Sequence, residues 1–407
     1  MYGIVLEGGG ARGAYQVGAW KALRELGIDY QGVAGTSVGA LNGAMMVQGD
    51  FNKTLEVWSD ITPSKVVNIN DELYEMVKNL KISTEITPIL LQSIKSIFHN
   101  RGMDTTPLHN LLYQWVDEKK IREAGIEFGI VTVSLSDLRP LKLFLQDIPQ
   151  GKLVDYLLAS ASMPVFQRQR IDNRVFLDGG VYDNLPISLL DHKGFQKMIV
   201  VRLVGKGLKK RERIKGVDIT LIKPAESLGS MFDFTKERAN TNIELGYYDT
   251  LKVFNGYHGI RYYIDVNRNE EYYLHSLLQM EQTRLKGFYK GLGVPVGMPH
   301  QRFILEKLIP LLVDLLPVRK SASYTELAIS LLERAANKAG IKRFKVYRYD
   351  VFEQNVITNY QKGEHTPLPT ALKGNELLLR AIKEQFLDEI ADILICGIEA
   401  SAKYGQL

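Results

Sequence analysis

The sequence predicts an α/β fold with a mostly parallel central sheet, followed by a mainly helical C-terminal region. Two units of strand, glycine-rich turn and helix open the chain, over residues 3–26 and 33–45. Such units build parallel sheets covered by helices. After about residue 266 helical patterns dominate and prolines separate them, so we expect one domain over 1–265 and a second region over 266–407.

Length and composition are those of a globular protein. The 407 residues are 45% hydrophobic and 24% charged, which suits about two or three domains. No run approaches the roughly 18 apolar residues of a membrane span, and the first residues lack the basic segment of a signal peptide. The one cysteine, Cys396, excludes an intramolecular disulfide and has the context of a small buried hydrophobe. We therefore expect a cytoplasmic protein.

The net charge of +5 is mild. It favours an anionic surface such as phospholipid headgroups and gives no specific sign of nucleic acid, so we expect no nucleic-acid partner. Peripheral contact with the inner membrane face is a further option. The basic run over residues 206–215 is either a solvated loop or a contact for headgroups.

The second turn contains Gly-x-Ser-x-Gly, with Ser37 between Gly35 and Gly39. A serine at such a turn is held on a sharp bend with its hydroxyl exposed, and the glycines keep Cβ atoms out of the bend. The helix that follows directs free N–H groups and its positive dipole end toward the serine. These features suit a nucleophile that attacks a carbonyl, although a plain β–α turn has the same pattern.

The first turn, Gly8–Gly13, also fits the dinucleotide fingerprint. That fingerprint needs an acidic residue at the end of the second strand, but Asp29 precedes this strand and Ser37 ends it. The other use of such a turn is to present N–H groups to an oxygen anion. Since both turns follow neighbouring parallel strands, they should lie side by side as oxyanion hole and nucleophile. Arg12 either adds a fixed positive charge or braces the loop through a salt bridge.

Residues 50–125 are less regular and are predicted to be a helical insertion or lid. Within them, residues 84–98 form an amphipathic helical pattern. Two roles stay open for this helix, packing on the sheet or covering the active site and meeting lipid. Further elements are predicted as a helix over 108–116, a hairpin over 126–135 and 141–145, a helix over 153–161, strands over 175–177, 197–203, 218–222 and 260–264, and a helix over 228–254.

The C-terminal region contains no repeat, metal-ligand spacing or catalytic constellation. Its helices are predicted over 270–292, 302–315, 324–339 and 375–398, with a lone strand over 344–352. Homo-oligomerisation through these helices is one role for the region, and binding of a partner is another.

Four blocks together resemble the patatin-like phospholipases of the bacterial type, in order and in character. They are Gly8–Gly13, Gly35–Gly39, Ala159–Pro164 and Asp178–Gly180, and the resemblance spans roughly residues 1–265. It implies a three-layer patatin-like sandwich, distinct from the α/β-hydrolase fold. It also implies a Ser–Asp dyad without histidine, with Ser37 as nucleophile and Asp178 as base.

The same resemblance implies an oxyanion block and motif glycines, and a reaction without metal or cofactor. The oxyanion residues are Gly8, Gly9, Gly10, Arg12 and Val38, and the motif glycines are Gly35, Gly39, Gly179 and Gly180.

A Ser–His–Asp triad is the alternative for Ser37. An α/β-hydrolase places its serine after several strands and follows it with an acid and a histidine, whereas about two strands precede Ser37 here. The histidines after Asp178 fall in no recognisable motif; they are His192, His258, His275, His300 and His365.

The resemblance thus implies a serine carboxylic-ester hydrolase that cleaves fatty-acyl esters of phospholipids or lysophospholipids through an acyl-enzyme. Two alternatives stay open. One is acyl transfer to an alcohol or a lysolipid, and the other is a membrane-recruited regulator with conditional esterase activity.

Overall fold

The chain is described by a computed structural model, which covers residues 1–78, 102–204, 214–289, 292, 294–361 and 382–404. It divides into two compact units, Met1–Phe254 and Asn255–Leu407. The predicted amphipathic helix over residues 84–98 lies outside the described residues, as does nearly all of the basic run over 206–215.

The described part of the first unit is built on a mostly parallel sheet of eight strands. They are β1 (Tyr2–Leu6), β2 (Tyr30–Thr36), β3 (Glu127–Ser134), β4 (Arg139–Phe144), β5 (Arg170–Ile171), β6 (Arg174–Asp178), β7 (Lys197–Val201) and β8 (Asp218–Ile222). Their order is β5-β6-β3-β2-β1-β7-β8, and β4 pairs with β3 beside this path. β3, β2, β1, β7 and β8 are mutually parallel, whereas β4 and β6 run antiparallel to β3. The predicted α/β class with a mostly parallel sheet is confirmed.

The described helices of this unit follow the sequence pattern closely. They are α1 (Ala14–Glu25), α2 (Val38–Gln48), α3 (Phe51–Ser59), α4 (Asp71–Lys78), α5 (Thr106–Trp115), α6 (Glu118–Glu123), α7 (Leu153–Ser160), α8 (Ile187–His192) and α9 (Lys236–Asn255). One start differs from the prediction, since α9 begins at Lys236 and not at 228. The apolar residues Phe232 and Phe234 before it are buried in a turn, where their backbone groups bond to the hydroxyl of Tyr74.

Helices cover both faces of the sheet, which gives three layers. On one face Val33 and Phe128 lie against Gly43 of α2. On the other, Ala34 and Val131 pack with the apolar side chains of α8. Successive residues of each central strand therefore point into different apolar layers, and such strands read as continuous hydrophobic runs.

The register of β3 brings two strand ends together. β2 ends at Thr36, which lies opposite Val131. β6 approaches from the other direction and ends at Asp178, which lies opposite Thr132. β4 occupies the other side of β3 over residues 129–134, so β6 continues the side on which β2 lies. The ends of β2 and β6 thus meet at successive residues of one strand.

The second unit is mainly helical and has its own core. Its described helices are α10 (Glu270–Leu278), α11 (Gln282–Tyr289), α12 (His300–Phe303), α13 (Ile309–Leu315), α14 (Tyr324–Lys338), α15 (Tyr349–Asn359) and α16 (Lys383–Tyr404), with a π-helical segment at Ile304–Leu308. Phe303, Phe352 and Phe386 are fully buried among them. Over the described parts of both units, no helix combines the length and the apolar character needed to cross a membrane.

One predicted strand belongs to a different unit from the one expected. The strand predicted over 260–264 is β9 (Tyr263–Asp265), and it pairs in parallel with β10 (Val346–Arg348) of the second unit. The lone strand predicted over 344–352 is therefore paired and short, and its second half is the start of α15. The observed division after residue 254 places β9 in the second unit, because a strand's partner and not its local pattern decides its sheet.

A buried ion pair lies beside the first glycine-rich turn, between residues that follow β1 and β7. Arg202 Nε lies 3.0 Å from Glu7 Oε2, and the two side chains are 5% and 6% exposed. The same carboxylate oxygen accepts the N–H of Leu203 at 2.6 Å. Both charges are thus compensated inside the protein, where an unpaired charge is expensive.

We expect Arg202→Ala to lower the free energy of unfolding by about 3–5 kcal/mol, because it leaves the Glu7 carboxylate buried without its cation. Urea unfolding followed by circular dichroism measures the change. Lys193→Ala is the matched control, since the pair of Lys193 with Glu127 is partly exposed and should be worth less than about 1 kcal/mol. Equal losses in the two variants would contradict the expectation.

Candidate active site

Ser37 occupies the bend between β2 and α2 in a conformation that few residues other than glycine adopt. Its φ is 56° and its ψ is −128°, a region that costs about 1–3 kcal/mol for a residue with a side chain. The bend is crowded by backbone, since a Cβ atom on Gly39 would lie 2.4 Å from the carbonyl oxygen of Leu6. The strained serine between glycines matches the elbow predicted from Gly-x-Ser-x-Gly.

Ser37 and Asp178 are in direct contact. Ser37 Oγ donates a hydrogen bond of 2.6 Å to Asp178 Oδ2, and each residue is 5% exposed. The N–H of Gly180 donates to the other carboxylate oxygen at 2.7 Å. Burial raises the pKa of Asp178 to about 6, although both hydrogen bonds act to lower it. The carboxylate is therefore more basic than an ordinary aspartate and still ionised at neutral pH.

The block Ala159–Pro164 lies directly beside this pair. Ser160 Oγ accepts the N–H of Ser37 at 3.0 Å, and the carbonyl oxygen of Ser162 accepts the N–H of Asp178 at 2.8 Å. The third block of the sequence thus contacts both residues of the pair, one through a side chain and one through the backbone.

The first glycine-rich turn runs past the same spot. Gly10 has a φ of 58°, and a Cβ atom there would lie 2.3 Å from the carbonyl oxygen of Met231, so only glycine fits. The N–H groups of Gly9 and Gly10 have no acceptor among the described residues, nor has that of Val38 at the start of α2. Free N–H groups at a turn and at a helix start are suited to binding an oxygen anion.

Two other residues of the predicted oxyanion block have partners of their own. The N–H of Gly8 donates to the carbonyl oxygen of Asn184 at 3.1 Å, so Gly8 serves close packing beside Ser37. Arg12 Nε donates to the carbonyl oxygen of Gly229 at 2.9 Å, and burial lowers the pKa of its guanidinium. Of the two roles considered for Arg12, this contact supports the brace, with a carbonyl in place of the expected acid.

An apolar cavity opens at Ser37 and holds about 780 Å³ of empty space, including its part open to solvent, which is within the range of small-molecule sites. Its walls come mainly from α2, α3 and α5. Residues outside these helices complete them, among them Ile61, Val66, Ala161, Met163, Phe166 and Phe234. The lining side chains are almost all apolar, among them Leu41, Met45, Val57, Trp58, Leu108, Leu111, Leu112, Trp115, Met163, Phe166 and Phe234.

Sequence reasoning did not identify this cavity. One signal was available, since Leu108, Leu111, Leu112 and Trp115 recur at the spacing of one helical face in a predicted helix. That stripe also fits ordinary packing, and only the fold shows that it lines an open space beside Ser37.

Among the described residues, no histidine lines the cavity or bonds to Ser37 or Asp178, and His365 lies outside that part of the chain. Within the same described residues, no group of three or more His, Cys, Asp or Glu side chains could hold a metal ion.

Comparison with known proteins finds a family match to the part of the chain that contains this site. A family model described as patatin-like phospholipase matches residues 4–191, a span that includes the glycine-rich turn, Ser37 and Asp178. Residues 4–191 are a patatin-like phospholipase domain. The predicted family resemblance is thereby confirmed for this span.

Curated relatives share this domain at low identity. The patatin-like phospholipase domain-containing protein 7 of Rattus norvegicus is 25% identical over 205 residues, which are 49% of this chain and 13% of that protein. Lysophospholipase nte1 of Aspergillus terreus is 27% identical over 208 residues, 49% of this chain and 12% of that protein. The match therefore covers only a small share of the length of these relatives.

A solved structure also aligns with the patatin-like domain and beyond it. The crystal structure of VipD from Legionella pneumophila aligns with 98% of this chain and 91% of that chain, with a TM-score of 0.40 and 13% identity.

Proposed function

We propose that the patatin-like domain is a lipid acyl hydrolase that cleaves fatty-acyl esters of phospholipids or lysophospholipids, with Ser37 as nucleophile and Asp178 as base. The observation that carries the proposal is the 2.6 Å hydrogen bond from Ser37 Oγ to the buried carboxylate of Asp178, with Ser37 lining an apolar cavity. The family of the domain supports lipid as the substrate class. The Aspergillus terreus relative is named a lysophospholipase, which supports lysophospholipids within that class.

Acylation begins with the ester carbonyl above Ser37 and the acyl chain in the cavity. Asp178 takes the hydroxyl proton as Ser37 Oγ attacks the carbonyl carbon. The negative oxygen that forms is stabilised by the N–H groups of Gly9, Gly10 and Val38, and by the positive end of the α2 dipole. Collapse of this intermediate breaks the ester bond, and the protonated Asp178 returns the proton to the departing alcohol.

Deacylation repeats these steps with water. Asp178 takes a proton from a water molecule, whose oxygen attacks the acyl carbon. The Ser37 oxygen then leaves, receives the proton from Asp178, and the fatty acid is released. One carboxylate therefore serves both half-reactions, first as base and then as acid in each.

The rate factors expected of a general base and of an oxyanion donor are consistent with a carboxylate that acts without histidine. A general base contributes roughly 10²–10⁴-fold, and one oxyanion donor roughly 10²–10³-fold. The raised pKa of Asp178 moves it toward the working pH, where a general base is most effective. An ester also expels its alcohol more easily than a peptide expels an amine, which favours lipid esters.

We expect Ser37→Ala to abolish ester hydrolysis and Asp178→Asn to lower kcat/KM by at least about 10²–10⁴-fold, because the amide cannot accept the proton. Incubation with a panel of phospholipids and lysophospholipids, with products identified by mass spectrometry, measures the loss. An added alcohol acceptor reveals acyl transfer in place of hydrolysis.

Asp183→Asn is the control, since this nearby carboxylate pairs with Lys142 and not with Ser37. An Asp178→Asn variant with most of its activity would refute the assignment of the base.

The pH dependence follows from the pKa of Asp178, which is raised to about 6. Only the ionised carboxylate can act as base, so kcat/KM should be constant above pH 7. It should be halved near pH 6 and fall about tenfold per pH unit below that. Hydrolysis rates of an uncharged nitrophenyl ester between pH 4.5 and 8.5 test this. A midpoint near pH 4, the value of an ordinary aspartate, would argue against a buried base.

Cavity size should set the preference for chain length. Leu111→Trp adds bulk inside the cavity, so it should lower kcat/KM for long-chain esters at least about tenfold relative to short-chain esters. A series of nitrophenyl esters of increasing acyl length measures the ratio. Gln114→Trp is the matched control, because this exposed residue belongs to α5 but does not line the cavity. A similar shift in both variants would exclude the cavity as the acyl site.

A further inference from the structure

The block Ala159–Pro164 has no part in the steps above, although it lies against both residues of the pair. We propose that Ser160 is a positioning residue, which holds the backbone of Ser37 in its strained conformation and ties it to β3. This inference rests on the proposed function, because it assigns Ser160 a role in that same reaction.

Both hydrogen-bonding capacities of the Ser160 hydroxyl are used inside the protein. The side chain is fully buried. Its Oγ accepts the N–H of Ser37 at 3.0 Å and donates to the carbonyl oxygen of Val131 at 2.7 Å. Val131 is the residue of β3 opposite the end of β2. The hydroxyl therefore bridges the nucleophile's backbone and the strand against which Asp178 is aligned.

Ser37 needs such an acceptor because its buried N–H lies just beyond the paired part of β2. The last residue of β2 that pairs with β3 is Thr36, and Ser37 follows it in the bend. A buried N–H without an acceptor costs about 1–3 kcal/mol, and Ser160 Oγ is its acceptor among the described residues. Loss of the bond would favour relaxation of the bend, and a displacement of about 1 Å in a reacting atom can cost about 10²-fold in rate.

The same short segment holds the base. Two residues after Ser160, the carbonyl oxygen of Ser162 accepts the N–H of Asp178 at 2.8 Å. The distance between Ser37 Oγ and Asp178 Oδ2 is thus fixed through residues 160–162, in addition to the register of β3. Removal of the Ser160 hydroxyl breaks the hydrogen bond to the N–H of Ser37 and leaves the bond between Ser162 and Asp178 in place.

Three substitutions at Ser160 separate positioning from simple stability. Ser160→Ala removes the hydroxyl, and Ser160→Cys retains the size of the side chain but offers a much weaker acceptor. Ser160→Thr retains the hydroxyl. Ser134→Ala is the matched control, because Ser134 is also fully buried and lies on β3, but its hydroxyl donates to Asp137.

Hydrolysis of a soluble nitrophenyl ester and labelling of Ser37 by a fluorophosphonate are measured for each variant, with the thermal midpoint recorded alongside. We expect kcat of Ser160→Ala and Ser160→Cys to fall about 10–100-fold with KM changed less than about threefold. The labelling rate should fall in parallel. Ser160→Thr should regain at least about tenfold over Ser160→Ala, and Ser134→Ala should stay within about threefold of wild type.

If Ser160→Ala does not fold, Ser160→Cys carries the test, because its packing is nearly unchanged. A folded Ser160→Cys with the kcat and labelling rate of wild type overturns the inference, as does a folded Ser160→Thr no more active than Ser160→Ala. Ser37→Ala is assayed in parallel. If Ser37→Ala is inactive and Ser160→Cys is fully active, only the positioning role is refuted. If Ser37→Ala keeps the activity, the proposed function falls and this inference with it.

Discussion

The site depends on one constraint, the hydrogen-bonding register of β3. Thr36 and Asp178 come from strands that run in opposite directions, and they pair with Val131 and Thr132, which are successive residues. Because neighbouring positions on a strand are only about 3.3 Å apart, the residue after Thr36 must begin its turn next to Asp178. Backbone pairing thus creates the contact between Ser37 and Asp178 before any side chain is considered.

Burial and hydrogen bonding have opposing effects on the pKa of Asp178. Removal of the Asp178 carboxylate from water disfavours its ionised form, which makes it a better proton acceptor. The N–H of Gly180 and the hydroxyl of Ser37 stabilise the same charge and limit the effect. The balance leaves a carboxylate with a pKa of about 6. Histidine often serves as a catalytic base because its ordinary pKa lies in this range. Here the environment of Asp178 raises the pKa of an aspartate to a similar value.

The sequence predicted features that are local along the chain. Gly-x-Ser-x-Gly and the Gly8–Gly13 run each indicate a strand–turn–helix unit, and the βαβ rule brings their turns together without further information. The partnership of Ser37 with Asp178 could come only from the family resemblance, because strand register decides it.

The features that the sequence did not predict have separate causes. Ser160 bonds to backbone atoms of Ser37 and Val131, and backbone groups have no residue signature. β9 was predicted in the wrong unit because an apolar run does not name its partner strand. The start of α9 was predicted too early because buried residues in a turn are as apolar as those of a helix face.

The chemical groups and the cavity walls have different structural origins. Ser37 and Asp178 stand at strand ends, where a shift of one residue would break the sheet. A large part of the cavity wall comes from α3 and α5, which lie in the insertion between the second and third strands. Side chains on those two helices can be exchanged without changing any pairing in the sheet. Under the proposed function, selectivity for the acyl group can therefore diverge during evolution while the reaction itself is conserved.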